Sequence, residues 1–190
     1  MLENIRVLDI SNQLGWLAGR IFSDLGAEVI KVEPTVSSKN DNDWRANNIS
    51  KQFLLLDLNA PDGRKEFDRL VPKFDILIET AAPGSDLAGF LNPERLANLN
   101  AGLIHVSITP FGRSGPRAEW RASDIEIMAA SGAMSLAGER EGTPLRVSVP
   151  PSGSWAGAHA AAGALVALID RNNSGLGQLV EVSAQASIIA

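Results

Sequence analysis

The side chains able to do chemistry are few, and their types narrow what that chemistry is. The chain has no cysteine, which excludes disulfides, thiol nucleophiles and thiolate-ligated zinc. Its only histidines, His105 and His159, are too few for a His-rich metal site, and no metal is expected. Catalysis must rest on carboxylates, hydroxyls or backbone groups. The turn Ser11-Asn12-Gln13-Leu14-Gly15 lies between an apolar run and a helical one, so Gln13 and nearby backbone N–H groups could receive an anion or polar ligand. It lacks G-x-G-x-x-G spacing, and it also reads as an ordinary strand-to-helix turn. Glu33 stands at a strand end, a place from which ribose is often contacted, or it only solvates the terminus. Arg113, Arg117 and Arg121 share one Gly/Pro loop, either as phosphate ligands or as surface charge. Asp124 could carry a proton, or it could open a helix behind Ser123. His159, among alanines, reads as a packing residue. No Ser-His-Asp or paired-carboxylate pattern can be read from spacing.

These residues need a scaffold, and the composition supplies one. A length of 190 residues with 45% hydrophobic and 21% charged side chains suits one globular domain. The net charge of −5 offers no field for nucleic acid. The start, Met-Leu-Glu-Asn-Ile-Arg-Val, carries no signal-like apolar stretch. Residues Leu145–Ile169 are low in charge but contain Arg146, His159 and prolines, so no membrane span is expected. A soluble, cytoplasmic protein is the expectation.

Strands are predicted over Ile5–Ile10, Ala27–Glu33, Phe53–Leu58, Phe74–Glu79, Leu103–Ile108 and Gln178–Ser183. Helices are predicted over Trp16–Leu25, from Pro61 to Leu70, from Asn92-Pro93, over Asp124–Gly132 and over Trp155–Arg171. Thr35–Ser50 reads as a long loop and Ser135–Ser154 as irregular, while Ala184 begins a helix still apolar at Ala190, as in part of something larger. The β-α-β rhythm, with strands apolar enough for cover on both faces, predicts an α/β fold: a Rossmann-like, doubly wound, mostly parallel sheet flanked by helices. Ligands then belong at the carboxyl ends of the strands. Spacing alone goes no further than an α/β ligand-binding domain.

A series of blocks in order then adds a resemblance. Ile5-Arg6-Val7-Leu8-Asp9-Ile10 is followed by Asp24-Leu25-Gly26-Ala27-Glu28-Val29-Ile30-Lys31-Val32-Glu33, Leu56-Asp57-Leu58 with Pro61-Asp62-Gly63, and Phe74-Asp75-Ile76-Leu77-Ile78-Glu79 with Pro83-Gly84. Leu103–Ile108, Phe111-Gly112-Arg113-Ser114-Gly115-Pro116, Ser131-Gly132 and Ser174–Ser183 complete the series. Together they resemble the N-terminal large domain of the class III CoA-transferases, which include formyl-CoA transferase, carnitine CoA-transferase and α-methylacyl-CoA racemase. The resemblance implies that residues 1–190 are a CoA-binding-type domain, with a smaller second domain to follow. It also implies acyl-CoA or CoA as ligand and two interlocking chains, as a homodimer or as a hetero-oligomer with another family chain or half. Active members pass CoA between carboxylic acids through an acyl anhydride on an aspartate, whose carboxylate needs no deprotonation to attack a thioester. The racemases instead work by acid/base chemistry at the α-carbon.

The departures are informative. The family's aspartate falls at Gly153, or at Ser152 in members one residue longer, and no carboxylate occurs from Thr143 to Ile169. A serine ester would be a less activated chemistry, with no base evident in the sequence. Of the CoA-binding pattern, an Asn-Arg-Gly-Lys-like stretch reads Ser50-Lys51-Gln52, a Glu-Asn pair reads Glu79-Thr80, and an arginine after Pro83-Gly84 is missing near Leu87. A basic residue after Glu33 is replaced by Pro34 and Thr35. What remains for CoA is Gln13, Leu14, Val32, Glu33 and Arg45, so weak binding is expected because charge-assisted phosphate bonds are missing. The implied role is a non-catalytic half or partner subunit. Alternatives are an active transferase, racemase or lyase using Asp124, Glu126 or another carboxylate, and a structural interaction domain without CoA.

Overall fold

The short apolar runs pair as one sheet because most of them are too apolar to face water. The computed structural model describes residues 1–34, 42–139 and 141–189. Its strands are β1 (Arg6–Asp9), β2 (Glu28–Glu33), β3 (Gln52–Leu55), β4 (Ile76–Glu79), β5 (Ile104–Thr109) and β6 (Leu179–Ser183). They form a six-stranded sheet in the order β3-β2-β1-β4-β5-β6 with every pairing parallel. This is the doubly wound order, and its direction reverses between β1 and β4, where a crevice opens at the carboxyl ends. The register places Asp9 beside Lys31 and Ile78, and Glu79 beside Ser107, so polar residues gather at that end.

The helices are α1 (Trp16–Asp24), α2 (Asn42–Asn48), α3 (Pro61–Leu70), α4 (Asp86–Phe90), α5 (Pro93–Leu99), α6 (Asp124–Ala130), α7 (Ser152–Ser174) and α8 (Ala184–Ile189). On one sheet face Phe22 of α1, Ile127 of α6 and the alanines of α7 pack on Val7, Ile76, Val106 and Val182. On the other, Phe67 of α3, Ala88 of α4 and Leu96 of α5 pack on Leu8 and Leu77. Alanine at positions 156, 160, 161, 164 and 167 lets α7 lie close to the sheet and α1. Gly157 is part of that approach, since a Cβ there would stand 2.9 Å from Leu17 Cβ and 3.0 Å from the Ala18 nitrogen. The predicted caps also form: Asn92 Oδ1 accepts from the Glu94 and Arg95 N–H groups.

Four local expectations change. The stretch read as a loop contains α2, which stacks Trp44 on Phe53 at 5.5 Å; positions 35–41 of that stretch lie outside the described residues. Strand β3 ends at Leu55, and it is an edge strand with Phe53 and Leu55 exposed rather than covered on both faces. Helix α7 begins at Ser152, three residues before Trp155, because alanine-rich sequence gives no hydrophobic periodicity to mark its start. His159 is exposed rather than packed in a core, with its ring stacked on Trp155 and Nδ1 3.0 Å from the Trp155 carbonyl oxygen.

One buried cluster fixes the first strand-to-helix turn. Asp9 is fully buried at the end of β1, where its carboxylate accepts from the Ser11 N–H (2.9 Å), the Ser11 hydroxyl (2.6 Å) and Lys51 Nζ (2.7 Å). Lys51 also donates to the Trp16 carbonyl (2.9 Å) and to Asn48 Oδ1 (2.8 Å). Lys31 Nζ donates to the Ser11 carbonyl at 2.6 Å. Burial alone would raise the Asp9 pKa, but the charges of Lys31 and Lys51, with the hydrogen bonds from Lys51 and Ser11, hold it below the usual carboxylate value. Burial pushes the Lys51 ammonium pKa down, against the opposing pull of Asp9. Gly19 is obligatory, because any Cβ there would collide with the Asp9 carboxylate and Lys51.

Two outcomes follow for stability. Phe22→Ala removes a wholly buried ring and should cost about 3–5 kcal/mol in urea unfolding, whereas Val166→Ala on the exposed face of α7 should change stability by less than about 0.5 kcal/mol. Because the Asp9 pKa is lowered in the folded state, its contribution is complete above the ordinary carboxylate pKa of about 4 and is lost as pH falls through the native value. Asp9→Asn leaves two buried ammonium groups short of a counter-charge and should cost about 3–5 kcal/mol at neutral pH. Unfolding curves measured between neutral and acid pH should show a shallower acid loss in this variant than in the parent.

Candidate functional site

The turn from Ser11 to Gly15 stands as a ridge between two hollows, and Asn12 lines both. The first, about 320 Å³, is walled by Gln13, Leu14, Asp43, Asp124, Ser152 and Gly153. The second, about 370 Å³, lies over the crevice between β1 and β4 and is walled by Trp16, Lys31, Val32, Glu33, Thr80 and Leu87. The candidate binding residues are therefore divided. Gln13 and Leu14 face the first hollow, Val32 and Glu33 the second, and Arg45 is an exposed residue of α2 that lines neither. Its placement in a presumed loop had concealed that it rides on a helix face.

In the first hollow, Gln13 Nε2 donates to Asp43 Oδ2 at 2.9 Å. The start of α7 forms the opposite wall. Asp124 Oδ1 accepts from the Ser152 N–H at 3.1 Å and from its hydroxyl at 2.7 Å. Its Oδ2 is buried, has no hydrogen-bond partner among the described residues, and lies 3.5 Å from Arg146 Nε. No local signal marks this pairing, since 28 positions separate the two residues. A carboxylate thus stands beside the serine where no base was evident. Ser152 is 2% exposed, and the arrangement is also that of a cap on the first turn of α7. Gly153 follows, and here space is the constraint. A Cβ at Gly153 would lie 2.6 Å from the Gln13 carbonyl oxygen and 3.6 Å from Leu14 Cα. The ridge backbone occupies the volume that a side chain at position 153 would need.

Glu126, the other carboxylate considered, is a capping residue. It accepts from the Ser123 N–H at 2.6 Å and the Ser123 hydroxyl at 2.8 Å, and these bonds hold its pKa below the usual value. Asp124 is the neighbour that faces the hollow.

The second hollow is bounded by charges already engaged with one another. Lys31 Nζ lies 3.6 Å from Asp9 Oδ1 and 3.9 Å from Glu33 Oε1. Glu79 accepts from the Ala81 N–H, and its Oε1 takes Arg113 Nη1 at 3.3 Å. Arg113 also donates to Ser107 Oγ at 3.0 Å, so of the three loop arginines this one is drawn to the strand ends to balance Glu79. Arg117 lies over Trp120 instead, 5.3 Å from the ring centre. Lys51, counted in the sequence with the worn CoA-binding stretch, is wholly buried and holds Asp9 together with Asn48. Among the described residues no cluster of three or more His, Asp or Glu side chains could hold a metal ion.

Comparison with known proteins agrees with this architecture. The sequence profile of CoA-transferase family III matches residues 2–190. Succinyl-CoA–D-citramalate CoA-transferase of Chloroflexus aurantiacus is 32% identical over all of this chain and half of its own length. The BbsE subunit of succinyl-CoA:(R)-benzylsuccinate CoA-transferase from Thauera aromatica is 34% identical over 95% of this chain and 48% of its own. A CAIB/BAIF family protein from Brucella suis superposes with a TM-score of 0.89 at 29% identity, covering 98% of this chain and 54% of that one. The chain thus spans about half the length of the relatives it matches. With the doubly wound sheet, the crevice at its carboxyl ends and the match over nearly every residue, the chain belongs to CoA-transferase family III and is related to proteins that transfer CoA between acids.

Proposed function

We propose that residues 1–190 are the N-terminal, CoA-handling domain of a family III CoA-transferase-like protein, and that this domain does not itself form the acyl anhydride. The observation that carries the reading is the closure at Gly153. Glycine stands where the family's attacking aspartate is expected, and the Gln13 carbonyl, 2.6 Å from the Cβ position, leaves no room for a carboxylate there. Ser152 Oγ, the neighbouring candidate, donates to Asp124 and is 2% exposed, so it is poorly placed to meet a thioester. The domain would hold acyl-CoA with Gln13 and the strand-end residues, while a second family-type chain or half supplies the carboxylate. The subunit designation of the Thauera relative is in keeping with such an assembly. A cytoplasmic location is part of the same proposal.

A second reading has one observation in its favour: Asp124 presents a carboxylate to the first hollow. An active transferase, racemase or lyase would use that group directly. Its Oδ1 is engaged by Ser152 and its Oδ2 faces Arg146, a structural engagement that favours the first reading.

Calorimetric titration with acetyl-CoA should give saturable binding without turnover. Gln13→Ala should weaken it by about 3–10-fold, the worth of one hydrogen bond, and Arg45→Ala should leave it unchanged. Failure to bind up to millimolar acetyl-CoA would favour a structural interaction domain. Restoring the carboxylate with Gly153→Asp should produce no transfer and should cost about 1–3 kcal/mol, because the ridge must move to admit it. Transfer gained by this variant without loss of stability would contradict the account.

A further inference from the structure

At the amino ends of β5 and β6, away from the crevice, α5 and the sheet border a further hollow of about 260 Å³. Its walls are mostly apolar, from Pro93, Leu96, Ala97, Leu103 and Leu179. The ionisable side chains among its described lining residues are Glu94, exposed on α5, and His105.

His105 is the unusual member. It is 3% exposed, and neither Nδ1 nor Nε2 has a hydrogen-bond partner among the described residues. Nε2 lies 3.4 Å from Oε1 of the wholly buried Glu79, near enough for attraction but misaligned for a hydrogen bond. That oxygen already takes Arg113 Nη1 at 3.3 Å, and the other Glu79 oxygen takes the Ala81 N–H. The register explains why no neighbour serves the ring. His105 stands between Leu77 of β4 and Leu179 of β6, so both lateral neighbours are apolar. Buried polar atoms are nearly always paired, and an imidazole left out of the pairing at a hollow's wall can be paired by what enters the hollow.

The surroundings define the chemistry of that partner. A carboxylate only accepts, so Glu79 favours the tautomer with its proton on Nε2, which leaves the Nδ1 lone pair as an acceptor. Glu79 behind the ring and Glu94 at the rim disfavour an anion. The apolar walls make a charge of either sign costly to bury. We infer that this hollow binds a small uncharged hydroxyl compound, of the alcohol or phenol class, with its apolar body against Leu96, Leu103 and Leu179 and its O–H donated to His105 Nδ1. The site lies apart from both hollows flanking the first turn, so it stands or falls independently of the CoA-handling role.

The chain has two histidines, so imidazole nitrogen NMR reads the site directly. Titration with phenol should shift the His105 ring nitrogens saturably and leave the exposed His159 unmoved. Phenol should bind about 3–10-fold more tightly than toluene, the worth of one hydrogen bond, and more tightly than benzoate. His105→Phe keeps a ring of similar bulk and should abolish the preference for phenol over toluene, read from leucine methyl shifts. Ala97→Phe, at an exposed position on the wall, should fill the hollow and remove phenol binding while His105 stays. Circular dichroism melting of both variants separates loss of the site from loss of the fold, and if His105→Phe does not fold, the ligand series and Ala97→Phe decide. No saturable shift of His105, equal binding of phenol and toluene, or tighter binding of benzoate would each overturn the inference. Phenol binding that survives in well-folded Ala97→Phe, or a phenol preference that survives in well-folded His105→Phe, would overturn it as well.

Discussion

The carboxylate of Asp9 is the contact on which the rest of the site depends. It is buried at the end of the central strand, between the amide and hydroxyl of Ser11 on one side and the Lys51 ammonium on the other. Lys31 closes the arrangement from β2 by holding the Ser11 carbonyl. The first turn is therefore gripped at both backbone groups of one residue, Ser11, and its position decides how much room remains on either flank. Isolated buried charges cost several kcal/mol each, so two lysines around one aspartate persist only because their donors are matched to fixed acceptors. The same cluster ties the end of α2 and the entry to β3 to the sheet through Asn48 and Lys51.

That ridge has different consequences for its two sides. Toward α7 it comes so near that position 153 tolerates glycine and little else. Ser152 and Asp124 then satisfy one another across the gap, which closes the helix start and draws α6 to α7. Toward β4 the ridge leaves a broader hollow, but its polar groups are largely paired within the protein. The proposal that a second chain or half supplies the attacking carboxylate rests on this division: the fold and the crevice are those of the family, while Gly153 is closed in by the ridge and the described charges of the second hollow are engaged with one another.

Much of the fold was legible in the sequence because its signals are local. β-branched runs such as Ile76-Leu77-Ile78 are too apolar for a surface, and Asn92-Pro93 starts a helix by cap and ring geometry. Helix α2 was hidden because Asn42–Asn48 is polar and held by packing of Trp44 on Phe53, a contact distant from any periodicity. The start of α7 was hidden for the opposite reason, since an alanine-rich helix buries most of one side without a large-residue stripe. In the site, Gln13 was proposed from its place in the first strand-to-helix turn and Glu33 from its place at a strand end, whereas Val32 came only with the family resemblance; each lines one of the two hollows. Asp124 beside Ser152 and Lys51 beside Asp9 were not, because both are pairings across the fold, 28 and 42 positions apart.

The central claim is that this domain carries no acyl-accepting carboxylate of its own. Its most direct test is peptide mass mapping of the chain after incubation with an acyl-CoA, with hydroxylamine or borohydride added to trap any anhydride or thioester on a side chain. The account predicts that every aspartate and glutamate is recovered unmodified, the peptide carrying Asp124 included. A trapped adduct on Asp124, lost in Asp124→Asn, would contradict it and identify the domain as catalytic.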